Sequence, residues 1–97
     1  MNLDLLLLAA LKDGPAHGYR ISELLRERSR GVLEFPEGTI YPGLHRLERE
    51  RLLVSRWESD GGRRRRIYRL TRRGRTALAR ERREWAELRR AVEAVVT

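Results

Sequence analysis

The stretch EGTIYPGLHRLERERLL, residues 37–53, combines a helical apolar pattern with an unusual polar face. Ile40, Leu44 and Leu47 recur at i, i+4 and i+7, which is the spacing of one helix face. These three side chains are therefore predicted to point into a core. The stretch decides the fold because the start of the opposite face carries threonine, tyrosine and glycine, which is unusual for a purely solvated helix face.

Pro42 constrains where this helix begins, because proline is comfortable only in the first turn, where its missing N–H would have no partner. We therefore expect the N-cap near Gly38 or Thr39, and Thr39 is a good capping residue type. The outward face is then predicted to present Tyr41, Gly43, His45, Arg46, Arg49 and Glu50.

Two helices are predicted before this stretch. Residues 3–12 are apolar nearly all round, which indicates a central core helix. Asp13-Gly14-Pro15 stops that helix, since glycine and proline together favour a turn. A second helix is expected from about His17 to Arg28, with Gly31 closing it.

A β-hairpin is predicted after the third helix. The strands are LLVSRWES (52–59) and RRIYRL (65–70), and Asp60-Gly61-Gly62 supplies residues that tolerate the positive φ of a hairpin tip. In the second strand Tyr68 and Leu70 share one face, while Ile67 and Arg69 share the other. The run Arg63–Arg66 thus occupies the tip and the descending arm.

A long last helix of about 25 residues is expected to open at Thr71. Its apolar residues recur at heptad-like spacing: Leu78, Trp85, Leu88, Val92 and Val95. A domain this small cannot cover so long a stripe alone, so a partner helix is expected.

The charge is concentrated in one part of the chain. The 97 residues have a formal net charge of +8, yet residues 1–62 carry nine basic and ten acidic groups. Residues 63–69 carry five arginines and no acid, and residues 70–97 carry eight arginines against four glutamates. A localised positive field attracts a polyanion, and nucleic acid is the commonest one.

Other classes of function are disfavoured. Without cysteine there are no disulfides or thiolate metal sites, and two histidines are too few for a metal site. We expect no cofactor and no enzymatic activity, because no paired carboxylates, activated nucleophile or phosphate-cradling glycine loop is evident. LDLLLLAAL is too short to span a bilayer, and a cytoplasmic protein without a membrane partner is the expectation.

Three compact helices followed by a hairpin predict a mainly α fold with a small β-hairpin, namely a winged helix-turn-helix head with a long C-terminal dimerisation helix. The third helix would enter the major groove of double-stranded DNA. The hairpin would be the wing, with its arginines on phosphates or in a minor groove.

Three stretches of the chain resemble the signature regions of the PadR family of transcriptional regulators: HGYRISELL (17–25), EGTIYPGLHRLERERLL (37–53) and RRRRIYRLTRRG (63–74). The resemblance covers about residues 3–90. It implies a dimeric repressor, with a DNA-binding domain at 1–70 and a dimerisation helix at 71–97, and it is closest to the short-tailed branch of the family. Arg51 stands where the family pattern usually has glycine, and Pro36 stands where a small polar cap is common.

The candidate DNA-binding residues are Thr39, Tyr41, Pro42, His45, Arg46, Arg49, Arg63, Arg64, Arg65 and Arg66. Several of them have a plainer interpretation that stays open. Thr39 could serve only as a cap, Arg46 could pair with Glu50, and the arginine run could be a solvated tip. Tyr41 could pack on the wing, and the resemblance favours DNA for it.

Trp85 also has two interpretations. It fits a dimer core, and some short family members bind flat aromatic effectors at the dimer interface against a tryptophan of this helix. A small aromatic ligand is therefore a second expected partner. As a whole, the sequence predicts a homodimeric repressor of an inverted-repeat operator. The alternative is a winged-helix module that binds an acidic protein.

Overall fold

The computed structural model describes residues 3–97 and confirms the predicted fold class. The described residues form four helices and a three-stranded antiparallel sheet, whose short first strand lies between the first two helices in the sequence. In chain order the elements are α1 (Leu3–Ala10), β1 (Ala16–His17), α2 (Gly18–Arg28), α3 (Glu37–Arg49), β2 (Leu53–Asp60), β3 (Arg63–Leu70) and α4 (Arg72–Val96).

The sheet has the order β1-β3-β2, with both pairs antiparallel. The two-residue strand β1 was not predicted, because two residues are too few to show an alternating pattern. It pairs Ala16 with Tyr68 and His17 with Ile67. This pairing sets the start of α2 against the arginine-rich strand.

The hairpin tip follows the prediction. Asp60 pairs with Arg63, which leaves Gly61 and Gly62 as a two-residue loop with φ values of 56° and 84°. Positive φ at both loop positions is the type I′ geometry that matches the twist of the flanking strands.

One core runs through the head. Tyr68 and Leu70 are buried on one face of β3, as predicted, whereas Arg69 is exposed. Ile40, Leu44 and Leu47 of α3 are fully buried, which confirms the prediction from their spacing. The other fully buried large side chains are Leu7, Leu8, Ile21 and Leu53.

The predicted start of α3 is wrong. The N-cap is Pro36 rather than Gly38 or Thr39, and the Thr39 and Ile40 N–H groups donate to the Pro36 carbonyl at 2.9 and 3.2 Å. Pro42 is therefore the sixth helical residue, where it removes the bond that would reach the Gly38 carbonyl. Gly38 and Pro42 are both exposed, so water can reach the carbonyl that loses its partner.

The long helix α4 begins as predicted. The Thr71 hydroxyl accepts a hydrogen bond from the Gly74 N–H at 2.9 Å and donates to the Arg51 carbonyl at 2.7 Å. A Cβ on Gly74 would lie 2.0 Å from the Leu52 carbonyl oxygen, so only glycine fits there. Ala77 and Leu78 are buried, which anchors the first turns of α4 in the head.

Within residues 3–97, no helix combines the length and the apolar character that crossing a bilayer requires.

Candidate nucleic-acid interface

The exposed side of α3 is a narrow line of residues. Gly38, Pro42, His45 and Arg49 are all exposed, and at about 100° per residue they fall within roughly 60° of one another around the helix. Thr39 is also exposed, on one flank of this line. Gly43, which was predicted to face outward, is buried, and a Cβ there would lie 2.8 Å from Leu7 Cδ1.

Tyr41 lies on the flank of α3 nearest the hairpin and is half-buried. A Cβ on Gly18 would come within 2.5 Å of its ring, so the glycine lets the tyrosine pack against the start of α2. Its ring centroid is 6.5 Å from that of His45. Tyr41 thus lies between the start of α2 and His45 on the exposed side of α3.

Arg46 lies on the opposite flank and is held by α1. Its Nη1 donates to Asp4 Oδ2 at 3.0 Å, its Nη2 also contacts Asp4, and Glu50 Oε1 lies 3.8 Å away. The hydrogen bonding to Asp4 is the main cause that raises the pKa of Arg46. The sequence indicated Glu50 as a partner but gave no sign of Asp4, which is 42 residues away.

The four wing arginines do not share one environment. Arg63 and Arg64 are exposed, whereas Arg65 and Arg66 are half-buried. Strand alternation places Arg64 and Arg66 on the face of Trp57, and their guanidinium carbons lie 5.0 and 5.8 Å from its ring centroid. Cation–π attraction at these distances holds both side chains over the indole.

Arg66 is engaged within the protomer. Its Nη2 donates to Glu48 Oε1 at 2.9 Å, and its Nε donates to Ser55 Oγ at 2.7 Å. The Ser55 hydroxyl donates in turn to Glu48 Oε2 at 2.5 Å. This Glu48–Ser55–Arg66 cluster ties α3 to the hairpin, so Arg66 contributes to the position of the wing.

A groove of about 650 Å³ opens between the hairpin and the starts of α2 and α3. We call it the wing groove, and its lining residues are His17, Gly18, Tyr19, Glu37, Tyr41, Trp57 and Arg63–Arg66. The sequence did not identify His17, Tyr19 or Trp57 as site residues. The alternation of β2 could have found Trp57, which pairs with Arg66, but the position of His17 and Tyr19 depends on the unpredicted strand β1.

The apolar stripe of α4 is exposed beyond the head. Trp85, Leu88, Val92 and Val95 are all at least half exposed. Leu78 differs from the expectation, since it is 5% exposed and packs in the core of its own head. Trp85 and Leu88 also line a groove of about 460 Å³ with Leu5, Leu6, Leu33, Glu81 and Glu84.

Known proteins are similar to this chain in sequence and in fold. The Transcriptional regulator Rv3488 of Mycobacterium tuberculosis is 46% identical over 80 residues, which are 82% of this chain and 72% of that protein. A PadR family transcription regulator from Clostridium difficile superposes with a TM-score of 0.84 at 28% identity, covering 98% of each chain.

Bacillus subtilis PadR, solved in complex with operator DNA, superposes with a TM-score of 0.73 at 27% identity, covering 79% of this chain and 44% of that one. Residues 7–80 match the Transcriptional regulator PadR-like family, a range that includes the exposed face of α3, the wing and the cap of α4. On this agreement of sequence and fold, the chain belongs to the PadR-like family of transcriptional regulators.

Proposed function

We propose that this protein is a sequence-specific DNA-binding repressor that acts as a homodimer on an inverted-repeat operator. The observation that carries the proposal is the wing groove, in which the start of α3 and the arginines of the hairpin line one opening. A rigid head with this layout can place a helix in the major groove and cations on the adjacent backbone. The operator complex of Bacillus subtilis PadR supports the same use of the fold.

The exposed line of α3 is proposed to face the bases. Arg49 and His45 carry the hydrogen-bonding groups of this line, and Pro42 and Thr39 supply apolar contact near its start. Tyr41 is proposed to contact the DNA backbone beside it. Arg46 remains a proposed DNA contact at the flank, but the Asp4 carboxylate bound to its guanidinium offsets part of its charge.

The wing is proposed to supply most of the affinity through phosphates. Arg63, Arg64 and Arg65 are the candidates for direct contact. Arg66 is proposed to act chiefly through the Glu48–Ser55–Arg66 cluster, which holds the wing against α3.

A second copy of this chain is the proposed occupant of the α4 stripe. The spacing of Trp85, Leu88, Val92 and Val95 alternates between three and four residues, which is the pattern of a helix that packs along another helix. Residues 71–97 are the proposed dimerisation segment, although the first turns of this segment pack in the head. A symmetric dimer would present two α3 helices to half-sites about 34–36 Å apart.

A flat aromatic effector beside Trp85 is the proposed means of release. The groove that Trp85 and Leu88 share with α1 is mostly apolar and large enough for a small ring system. Such a ligand would shift the dimer only if it binds the arrangement that is incompatible with DNA more tightly. A regulator of this kind acts where the chromosome lies, so we expect it in the cytoplasm.

The salt dependence of DNA binding tests the role of the wing. The probe is the duplex that the wild-type protein selects from a pool of random sequence, and affinity is measured by fluorescence anisotropy at several salt concentrations. Replacing Arg64 and Arg65 with alanine should flatten the slope of log K against log salt by about 0.9 for each phosphate that the wing no longer neutralises.

A matched control removes the same charge elsewhere. Arg83 and Arg90 lie on the side of α4 opposite the apolar stripe and are exposed. Replacing both with alanine should leave the slope close to that of the wild type. An equal flattening of the slope in both double variants would mean that net charge alone drives binding, and an unchanged slope in the wing variant would contradict the proposal.

A further inference from the structure

Two nitrogen-bearing side chains from different elements meet in the wing groove. His17 is the N-cap of α2, and its Nδ1 accepts a hydrogen bond from the Arg20 N–H at 3.1 Å. A neutral imidazole has one N–H group, so acceptance at Nδ1 places the proton on Nε2.

The Nε2 of His17 is in direct contact with Nη1 of Arg65. A guanidinium can only donate hydrogen bonds. In the capping tautomer, both contacting nitrogens therefore carry N–H groups, and these two donors lie side by side. An anionic oxygen placed there could accept from both, and such charge-assisted bonds are stronger than those between neutral groups.

The surroundings favour a phosphate at this point. Arg63 and Arg64 line the same groove and add positive charge, and the Tyr19 ring stacks on His17 with centroids 6.4 Å apart and an interplanar angle of 22°. Glu37 also lines the groove at the start of α3, so the positive field is strongest on the side of the hairpin.

We propose that His17 and Arg65 together bind one phosphodiester oxygen of the DNA backbone. The inference rests on the proposed function and adds the N-cap residue of α2 to the DNA contacts. The Arg65 side chain is long and only partly buried, so its guanidinium can move away from the imidazole to admit the oxygen. Because His17 is fixed by its cap, the contact would position the head on the backbone as well as add affinity.

His17→Asn separates this contact from the cap. Asparagine caps a helix about as well as any residue, so α2 and the melting temperature should be unchanged, but its short side chain cannot reach the phosphate. With the selected duplex, we expect affinity to fall about tenfold for each half-site, the magnitude of one charge-assisted hydrogen bond. Ethylation interference should disappear at one phosphate in each half-site and persist at the others.

The double variant His17→Asn, Arg65→Ala decides whether the two groups share one oxygen. A shared oxygen predicts that the double variant loses clearly less affinity than the product of the two single losses. Strictly multiplicative losses, or an unchanged interference pattern in His17→Asn, would overturn the inference while leaving the proposed function intact. If the wild-type protein selects no duplex at all, the proposed function itself fails.

Discussion

Arg51 adopts a backbone conformation that its side chain disfavours. Its φ is 63°, in the left-handed region, where a Cβ crowds the neighbouring carbonyl. The residue follows the C-cap of α3, and the Arg51 and Leu52 N–H groups donate to the Glu48 and Leu47 carbonyls at 2.9 and 3.0 Å. This is the helix-ending motif that normally uses glycine.

Replacing Arg51 with glycine should therefore stabilise the head. Removal of the Cβ relieves the left-handed strain, and after the greater freedom of glycine in the unfolded chain a net gain of about 1 kcal/mol is expected. Urea unfolding at a fixed protein concentration measures the change. Arg49→Gly removes the same charge within the helix and should instead destabilise the head by up to about 1 kcal/mol.

Gly74 is the residue whose replacement should harm the head most. An added Cβ would meet the Leu52 carbonyl oxygen at 2.0 Å, so Gly74→Ala should displace the start of α4 from the hairpin. A loss of about 3 kcal/mol in the free energy of unfolding is expected for this degree of overpacking. Gly38→Ala is the control, because no atom lies within 4 Å of the added methyl group, and it should be neutral or stabilising.

At the scale of elements, local sequence patterns predicted features that depend on one helix or strand alone, such as its buried face or its first residue. The spacing of Ile40, Leu44 and Leu47 identified the buried face of α3, and Thr71 identified the start of α4. The start of α3 was misplaced because Pro42 was expected in the first turn. The helix accepts the proline at its sixth position because water can reach the Gly38 carbonyl that loses its partner. The sequence did not reveal this exposure.

Contacts between elements were largely beyond prediction. Asp4 binds Arg46 across 42 residues, and Glu48 binds Arg66 across 18, so neither pair leaves a periodic signal. From the sequence alone, all four wing arginines were therefore expected to contact DNA in the same way. The structure distinguishes them. Arg66 lies on the side of the strand that faces Glu48 and Ser55 and binds both, whereas Arg63 is exposed at the hairpin tip.

This distinction predicts different effects for Arg66→Ala and Arg63→Ala. Removing the Arg66 side chain leaves Glu48 and Ser55 without their shared donor, so the free energy of unfolding should fall by about 1 kcal/mol, a modest value because the pair is partly exposed. Arg63→Ala should unfold like the wild type and lose only DNA affinity. Equal stability of the two variants would show that the cluster does not hold the wing.

At the scale of the whole molecule, α4 extends well beyond the head. The chain has principal extents of 53 × 29 × 22 Å, and the apolar side chains from Trp85 onward project from its long arm. The heptad-like spacing predicted a partner helix for the apolar stripe of α4, but it included Leu78 in that stripe. Leu78 is instead covered by its own head, because α4 packs on α1 before it leaves the core.

Leu88→Glu should therefore convert the proposed dimer to monomers. A carboxylate at this position would be buried between two apolar helices without a partner, which costs several kcal/mol. Light scattering during size-exclusion chromatography gives the mass directly. Arg90→Glu, on the opposite side of α4, should retain the wild-type mass, and an unchanged mass for Leu88→Glu would contradict an α4-centred dimer.

The central claim is that the exposed face of α3 and the arginine wing contact one duplex from the same side of the head. The chain contains no cysteine, so single cysteines can carry an iron chelate that cleaves nearby DNA. His45→Cys and Arg63→Cys should cleave adjacent segments of the selected duplex, and Arg83→Cys should cleave neither segment. Cleavage from Arg83→Cys alone, or no cleavage from a His45→Cys protein that still binds the duplex, would contradict the account.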